Sequence, residues 1–137
     1  MARILVVDDD PDILETLSYA FVQEGHAVAV ESDGRAALAA ARRQPPELAV
    51  LDVMLPGLNG YEVSRLLKED MHRRRIAPFP VLLVTARRVA AGERQRFLAA
   101  WSRADATIWK PYDLGVFLCR VRSLLAPAAA VCAGEPS

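Results

Sequence analysis

Four short apolar runs, each stopping at a polar residue, constrain this chain more than any other feature. Ile4-Leu5-Val6-Val7 ends at Asp8-Asp9-Asp10, Leu48-Ala49-Val50-Leu51 at Asp52, Val81-Leu82-Leu83-Val84 at Thr85, and Thr107-Ile108-Trp109 at Lys110. Runs this short, bounded by polar and turn residues, fit strands buried on both faces, which is how a parallel sheet reads. Segments with apolar residues at helical spacing lie between them, such as Ile13, Leu14, Leu17 and Phe21. The alternation amounts to five βα units. In open parallel sheets ligands bind beyond the carboxyl ends of the strands, so one edge collects acids, a hydroxyl and an amine.

Asp8, Asp9 and Asp52 should converge there. Two like charges about 4 Å apart repel by roughly 4 kcal/mol at an effective dielectric of 20. Such a cluster takes up protons or binds a cation. Mg²⁺ suits it, being an oxygen-seeking ion that keeps some of its own waters. Thr85 and Lys110 add hydrogen-bond donors, so the crevice suits a phosphoryl group whose oxygens are shared between metal, lysine and hydroxyl. One carboxylate can then act as nucleophile and form an aspartyl-phosphate.

These residues resemble the receiver domain of two-component response regulators. The likeness rests on Val7-Asp8-Asp9-Asp10, on the segment from Leu51-Asp52-Val53-Met54 to Leu55-Pro56-Gly57-Leu58-Asn59-Gly60, on Val84-Thr85-Ala86 and on Lys110-Pro111-Tyr112. The resemblance implies an α/β, flavodoxin-like, doubly wound five-stranded parallel sheet in the order 2-1-3-4-5 with five helices. It implies Asp52 as phosphoacceptor, Thr85 and Lys110 as contacts to the phosphoryl oxygens, and a cis Lys110-Pro111 bond that aims the lysine. Mg²⁺ would be held by Asp8, Asp9, Asp52 and the main-chain carbonyl of Met54. The implied function is that of a phosphorelay acceptor, not an enzyme. Its donor is a sensor histidine kinase or a histidine phosphotransfer protein, and its signal passes to a downstream protein.

At 137 residues, one domain is expected at 1–125, followed by a flexible tail at 126–137 that is rich in Ala, Pro and Gly. Seventeen basic and seventeen acidic residues cancel, so no global field draws the chain to nucleic acid or to an anionic membrane. The apolar runs fall far short of the ~18 residues that span a bilayer, and the first strand starts without room for a signal peptide. A cytoplasmic monomer or weak homodimer is expected. Cys119 and Cys132 stand in no metal or redox spacing and read as free thiols.

Strands are expected near 3–7, 27–30, 48–52, 81–85 and 105–109, and helices near 11–24, 33–43, 60–74, 88–101 and 112–125. Asp10 before Pro11 reads as a helix N-cap, not a metal ligand. Leu114, Phe117, Leu118, Val121, Leu124 and Leu125 form the apolar face of the last helix. His72 with Arg73-Arg74-Arg75 reads as a solvated helix end favoured by the helix dipole. Trp101 and Trp109 read as packing residues.

The chain departs from the family pattern near its fifth strand. Receivers usually carry an aromatic residue three positions before the lysine, where this chain has Thr107, and a glycine before the strand, where it has Arg103-Ala104-Asp105-Ala106. Trp109 is a candidate to take over that aromatic's role, weighed against by the alternation that points neighbouring strand residues to opposite faces. Phosphorylation is therefore expected to act mainly through residues 86–92, with weak dimerisation or none. Two other functions compete. A scaffold of the same fold could signal without phosphate. A haloacid-dehalogenase-type phosphohydrolase would make Asp8 the nucleophile, but it leaves Asp52 unexplained and lacks a second acidic pair after Lys110.

Overall fold

The computed structural model describes residues 1–86 and 92–126. The elements alternate as β1 (Arg3–Val7), α1 (Pro11–Gln23), β2 (Ala27–Glu31), α2 (Gly34–Arg43), β3 (Leu48–Asp52), α3 (Gly60–His72), β4 (Val81–Ala86), α4 (Gly92–Ser102), β5 (Ala106–Lys110) and α5 (Leu114–Leu125). The five strands are parallel in the order β2-β1-β3-β4-β5. The tail 126–137 lies, after Ala126, outside the described residues, as do 87–91 within the segment expected to carry the displacement.

Strand alternation sorts the core into two layers. Leu5, Val7, Ala49, Leu51, Val81 and Leu83 pack with α2 and α3. Ile4, Val6, Leu48, Val50, Leu82 and Val84 pack on the other face with Phe21 of α1 and with Phe117 and Val121 of α5. The three central strands are buried on both faces, as their apolar runs indicate. β5 is not: it is one of the two edge strands, and all five of its residues are half-buried.

Capping residues fix where the helices begin. Asp10 accepts from the Asp12 amide with Pro11 in the first turn, and Asp33 accepts from the Ala36 amide. Asn59 and Glu62 form a reciprocal capping box on α3, a device that satisfies two otherwise unpaired N–H groups. Asp113 caps α5 by accepting from Val116, so that helix starts at Leu114, two residues later than the expected 112. Leu114 consequently lies at the helix start and stays 40% exposed. Cys119 is disulfide-bonded, contrary to the free thiol expected there, and Cys132 lies outside the described residues.

Ala106 and Ile108 of β5 pack toward α1 and α5, so alternation turns Thr107 and Trp109 together toward α3 and α4. This corrects the expectation for Trp109. It stands two positions after Thr107, not one, and shares its face. The register sets Trp109 directly across from Thr85.

Candidate phosphoacceptor site

Register brings the acids together. Val7 of β1 pairs with Leu51 of β3, so the next residues, Asp8 and Asp52, leave the sheet side by side. Both are buried, at 4% and 5% exposure, while Asp9 is exposed. Carboxylate oxygens of Asp8, Asp9 and Asp52 lie within 4.8 Å of one another. Lys110, at the end of β5, reaches across to Asp8 at 3.3 Å and to Asp52 at 3.6 Å. The Lys110-Pro111 peptide bond is cis.

Local backbone holds these carboxylates in place. The Asp10 amide donates to Asp8 Oδ1 at 2.9 Å, and the Met54 amide donates to Asp52 Oδ1 at 3.3 Å. Asp10 itself is occupied in capping α1. The turn after Asp52 closes tightly, with the Gly60 amide on the Val53 carbonyl at 3.0 Å. A Cβ at Gly60 would collide with the Asp52 carbonyl. Glycine is therefore required where α3 starts against the acceptor strand.

The electrostatics follow from one ammonium facing three carboxylates. Burial, and then the Asp8 charge, push the Asp52 carboxyl from 3.8 up to about 6, against the pull of Lys110. Burial draws the Lys110 ammonium down, but Asp52 and Asp8 together outweigh it and hold it above its usual value. Tyr112, stacked on Phe117 with ring centroids 4.9 Å apart, is pushed up mainly by burial. An all-oxygen cluster carrying more negative charge than its lysine offsets is the donor set that a hard divalent cation such as Mg²⁺ requires.

Thr85 behaves differently. It is buried at the end of β4, on the face opposite Asp52, turned toward Tyr61 of α3. Burial pushes the Tyr61 phenol up, and a hydrogen bond with Thr85 opposes the rise. Both side chains line a cavity of ≈ 300 Å³ with Val53, Met54, Gln95 and Leu98. The structure thus brings Asp8, Asp9, Asp52 and Lys110 together and sets Thr85 beside them, facing another way. Tyr61 and Gln95 carried no signal in the sequence, where each reads as an ordinary helix residue.

A parallel sheet with acids and a lysine converging at its carboxyl edge defines a phosphoacceptor class of α/β protein. The model of the response regulator receiver domain matches residues 4–122, and the chain belongs to that family. It is 39% identical over 123 residues to the DNA-binding response regulator MtrA of Mycolicibacterium smegmatis, covering 90% of this chain and 50% of that protein. It is 37% identical over 122 residues to the probable transcriptional regulatory protein TcrX of Mycobacterium tuberculosis, covering 89% and 49%. The chain spans about half the length of the curated relatives it matches. Among solved structures, the signal receiver domain of a histidine kinase from Syntrophus aciditrophicus superposes with a TM-score of 0.81 at 27% identity, covering 100% of this chain and 99% of that one. The BeF3-activated receiver domain of Klebsiella pneumoniae RstA gives 0.78 at 27% identity, covering 90% and 98%.

Proposed function

We propose that Asp52 is the phosphoacceptor of this receiver and takes a phosphoryl group from a phosphohistidine on a sensor kinase or a histidine phosphotransfer protein. As the Asp52 Oδ–P bond forms, the P–N bond to the donor imidazole breaks, and that imidazole recovers a proton from solvent. The observation that carries the reading is the triangle of Asp8, Asp52 and Lys110. A buried carboxylate stands at a strand end beside a second carboxylate, and one ammonium contacts both.

Each neighbour has a part that its chemistry supports. Lys110, already held above its usual pKa by the two acids, stays cationic and neutralises a phosphoryl oxygen. Thr85 donates to another oxygen once it turns from Tyr61. Asp8, Asp9, Asp52 and the Met54 carbonyl would hold Mg²⁺, which supplies positive charge where phosphoryl and carboxylate oxygens crowd together. The phosphohydrolase alternative would make Asp8 the nucleophile and leaves Asp52, which shares Lys110 with it, without a part. The chain is read as a signalling acceptor, not an enzyme, working in the cytoplasm. No helix among its described residues is long and apolar enough to cross a membrane. The resemblance to MtrA, a DNA-binding response regulator, and to TcrX, a probable transcriptional regulatory protein, supports an output that ends in transcription.

Acetyl phosphate labelling with Mg²⁺ tests the assignment. Wild type should take up an acid-stable, hydroxylamine-labile phosphate, and Asp52→Asn should take up none. Label that persists in Asp52→Asn and disappears in Asp8→Asn would overturn it.

A further inference from the structure

We propose that Tyr61 is a positioning residue that couples Thr85 to α4, by exchanging its hydrogen bond with Thr85 for one with Gln95 across the cavity these side chains share. The proposal rests on the phosphoacceptor reading and concerns how that site is regulated. Tyr61 is 4% exposed and sits in the first turn of α3, whose backbone is fixed by the capping box and by the contact of Gly60 with Asp52. Its phenol is therefore the part free to move, and the ≈ 300 Å³ cavity gives it room.

Gln95 lies across that cavity, on α4. Its Nε2 donates to the Ala86 carbonyl at 3.4 Å, which keeps the side chain over the end of β4. Its Oε1 is buried with no hydrogen-bond partner among the described residues. A buried amide oxygen left without a donor is destabilising, so this atom is an acceptor waiting for an O–H.

The exchange follows from what a phosphoryl group changes. Carried on Asp52, it offers the Thr85 hydroxyl charged oxygens as acceptors, stronger than a phenol. When Thr85 turns toward them, the Tyr61 phenol loses its partner. Turning it to Gln95 Oε1 satisfies both groups at once. Thr107, a small side chain on the same face of the sheet, has no bulk to move into the same space.

The far end of α4 supplies the pivot. Its last carbonyls are tethered to α3: Ser64 Oγ donates to Ser102 O at 2.9 Å, and Arg65 donates to Trp101 O at 2.7 Å. A pull at Gln95 therefore acts on the opposite half of the helix and turns it about its C-terminus.

Amide exchange of residues 92–102 and the side-chain amide resonances of Gln95, followed on the ¹⁵N-labelled full chain with Mg²⁺ and beryllofluoride, test the exchange. In wild type, beryllofluoride should shift the Gln95 side-chain resonances and slow exchange in α4. Tyr61→Phe keeps the ring, and it should retain beryllofluoride affinity while the exchange response of α4 shrinks roughly tenfold, the worth of one hydrogen bond. Gln95→Leu should do the same, and the double variant should lose no more than either single. A wild-type response in Tyr61→Phe, additive losses, or a response centred on β5 and abolished by Trp109→Phe would each overturn the proposal. Failure of wild type to bind beryllofluoride would instead overturn the phosphoacceptor reading, and the coupling with it.

Discussion

α3 and α4 are neighbours on one face of the sheet, yet they are anchored by different means. α3 buries Tyr61, Val63 and Leu67 in the core, starts with a complete capping box and begins against the acceptor strand. α4 buries no apolar side chain among its described residues: Leu98 and Ala99 only reach the core's margin, and Phe97 is 67% exposed. It is attached instead at one end by polar contacts from α3, with the Arg65 guanidinium 4.8 Å from the Trp101 ring centroid. Hydrophobic anchorage scales with buried area, whereas a polar tether adds only a small net stabilisation. The helix next to the acids is thus built to stay, and the one beyond it to respond.

Truncating the two helices at matched residues is the most severe test of that contrast. Leu67 is fully buried in α3, and Leu98 is partly buried in α4. Leu67→Ala should cost about 3–4 kcal/mol in urea unfolding and Leu98→Ala about 1 kcal/mol, because only the first leaves a closed cavity. Native-state exchange should show α4 opening well below the global unfolding free energy, while α3 exchanges near it. Equal costs for the two truncations would remove the distinction.

The charge at the root of α3 gives the next effect. Unfolded, Asp52 titrates near 3.8, and folded near 6. Between those values the folded chain holds a proton that the unfolded chain has released, so stability falls as pH rises through the window. The contribution is fully present below the lower value and gone above the upper one. Asp52→Asn should therefore stabilise the fold at pH 7.5, by about 1–2 kcal/mol once solvent screening at the open mouth is allowed for, and leave it unchanged at pH 3.5. Equal gains at both pH values would mean that burial of the charge is not the cause. Saturating Mg²⁺ should recover much of the same stability in wild type at pH 7.5 and little in the variant.

Those acids were legible in the sequence because each ends its own strand, and a strand end is a local property. Asp8, Asp9, Asp52 and Lys110 needed only the rule that a parallel sheet gathers its carboxyl ends. The half-burial of β5 was not legible, since Thr107-Ile108-Trp109 looks as apolar as a central strand and only the strand order makes it an edge. Thr85 lies near the end of β4, as its apolar run indicates, but its partner was not legible. That Tyr61 meets it depends on how α3 packs over β4, which no spacing encodes. The missing glycine before β5 was legible as a departure, and its consequence was not. Arg103 itself takes the left-handed conformation, with φ 59°.

The tether between the helices can be cut directly. Ser64 and Ser102 are both fully buried, so Ser64→Ala leaves the Ser102 carbonyl without its donor. A loss of about 1 kcal/mol is expected, and it should also appear as faster exchange across α4. Arg65→Ala should cost less, because its contacts are solvent-exposed. If Ser64→Ala speeds exchange in α3 as much as in α4, the two helices open as one unit and the contrast fails.

Both helices end on a left-handed arginine, which permits a matched comparison at the smallest scale. Arg74, with φ 59°, closes α3 by donating to the Met71 carbonyl at 3.0 Å, and the next amide, Arg75, donates to the Asp70 carbonyl at 2.8 Å. Arg103 closes α4 by donating to Ala100 at 3.2 Å. There the second bond is relayed, because the Ala104 amide donates to Ser102 Oγ, which donates to the Ala99 carbonyl. A non-glycine residue in this conformation carries a steric cost, and glycine relieves it at some expense in chain entropy. Arg74→Gly and Arg103→Gly should therefore each stabilise the fold by about 0.5 kcal/mol, with similar rises in Tm. Exchange should separate them. If α4 opens while the remainder stays folded, only Arg103→Gly raises the free energy of that opening, and only it slows exchange of the α4 amides. Arg74→Gly should raise global stability and leave α4 exchange where it was. Slower α4 exchange in both variants would mean that α4 opens only when α3 does, and the loose attachment inferred for it would be wrong.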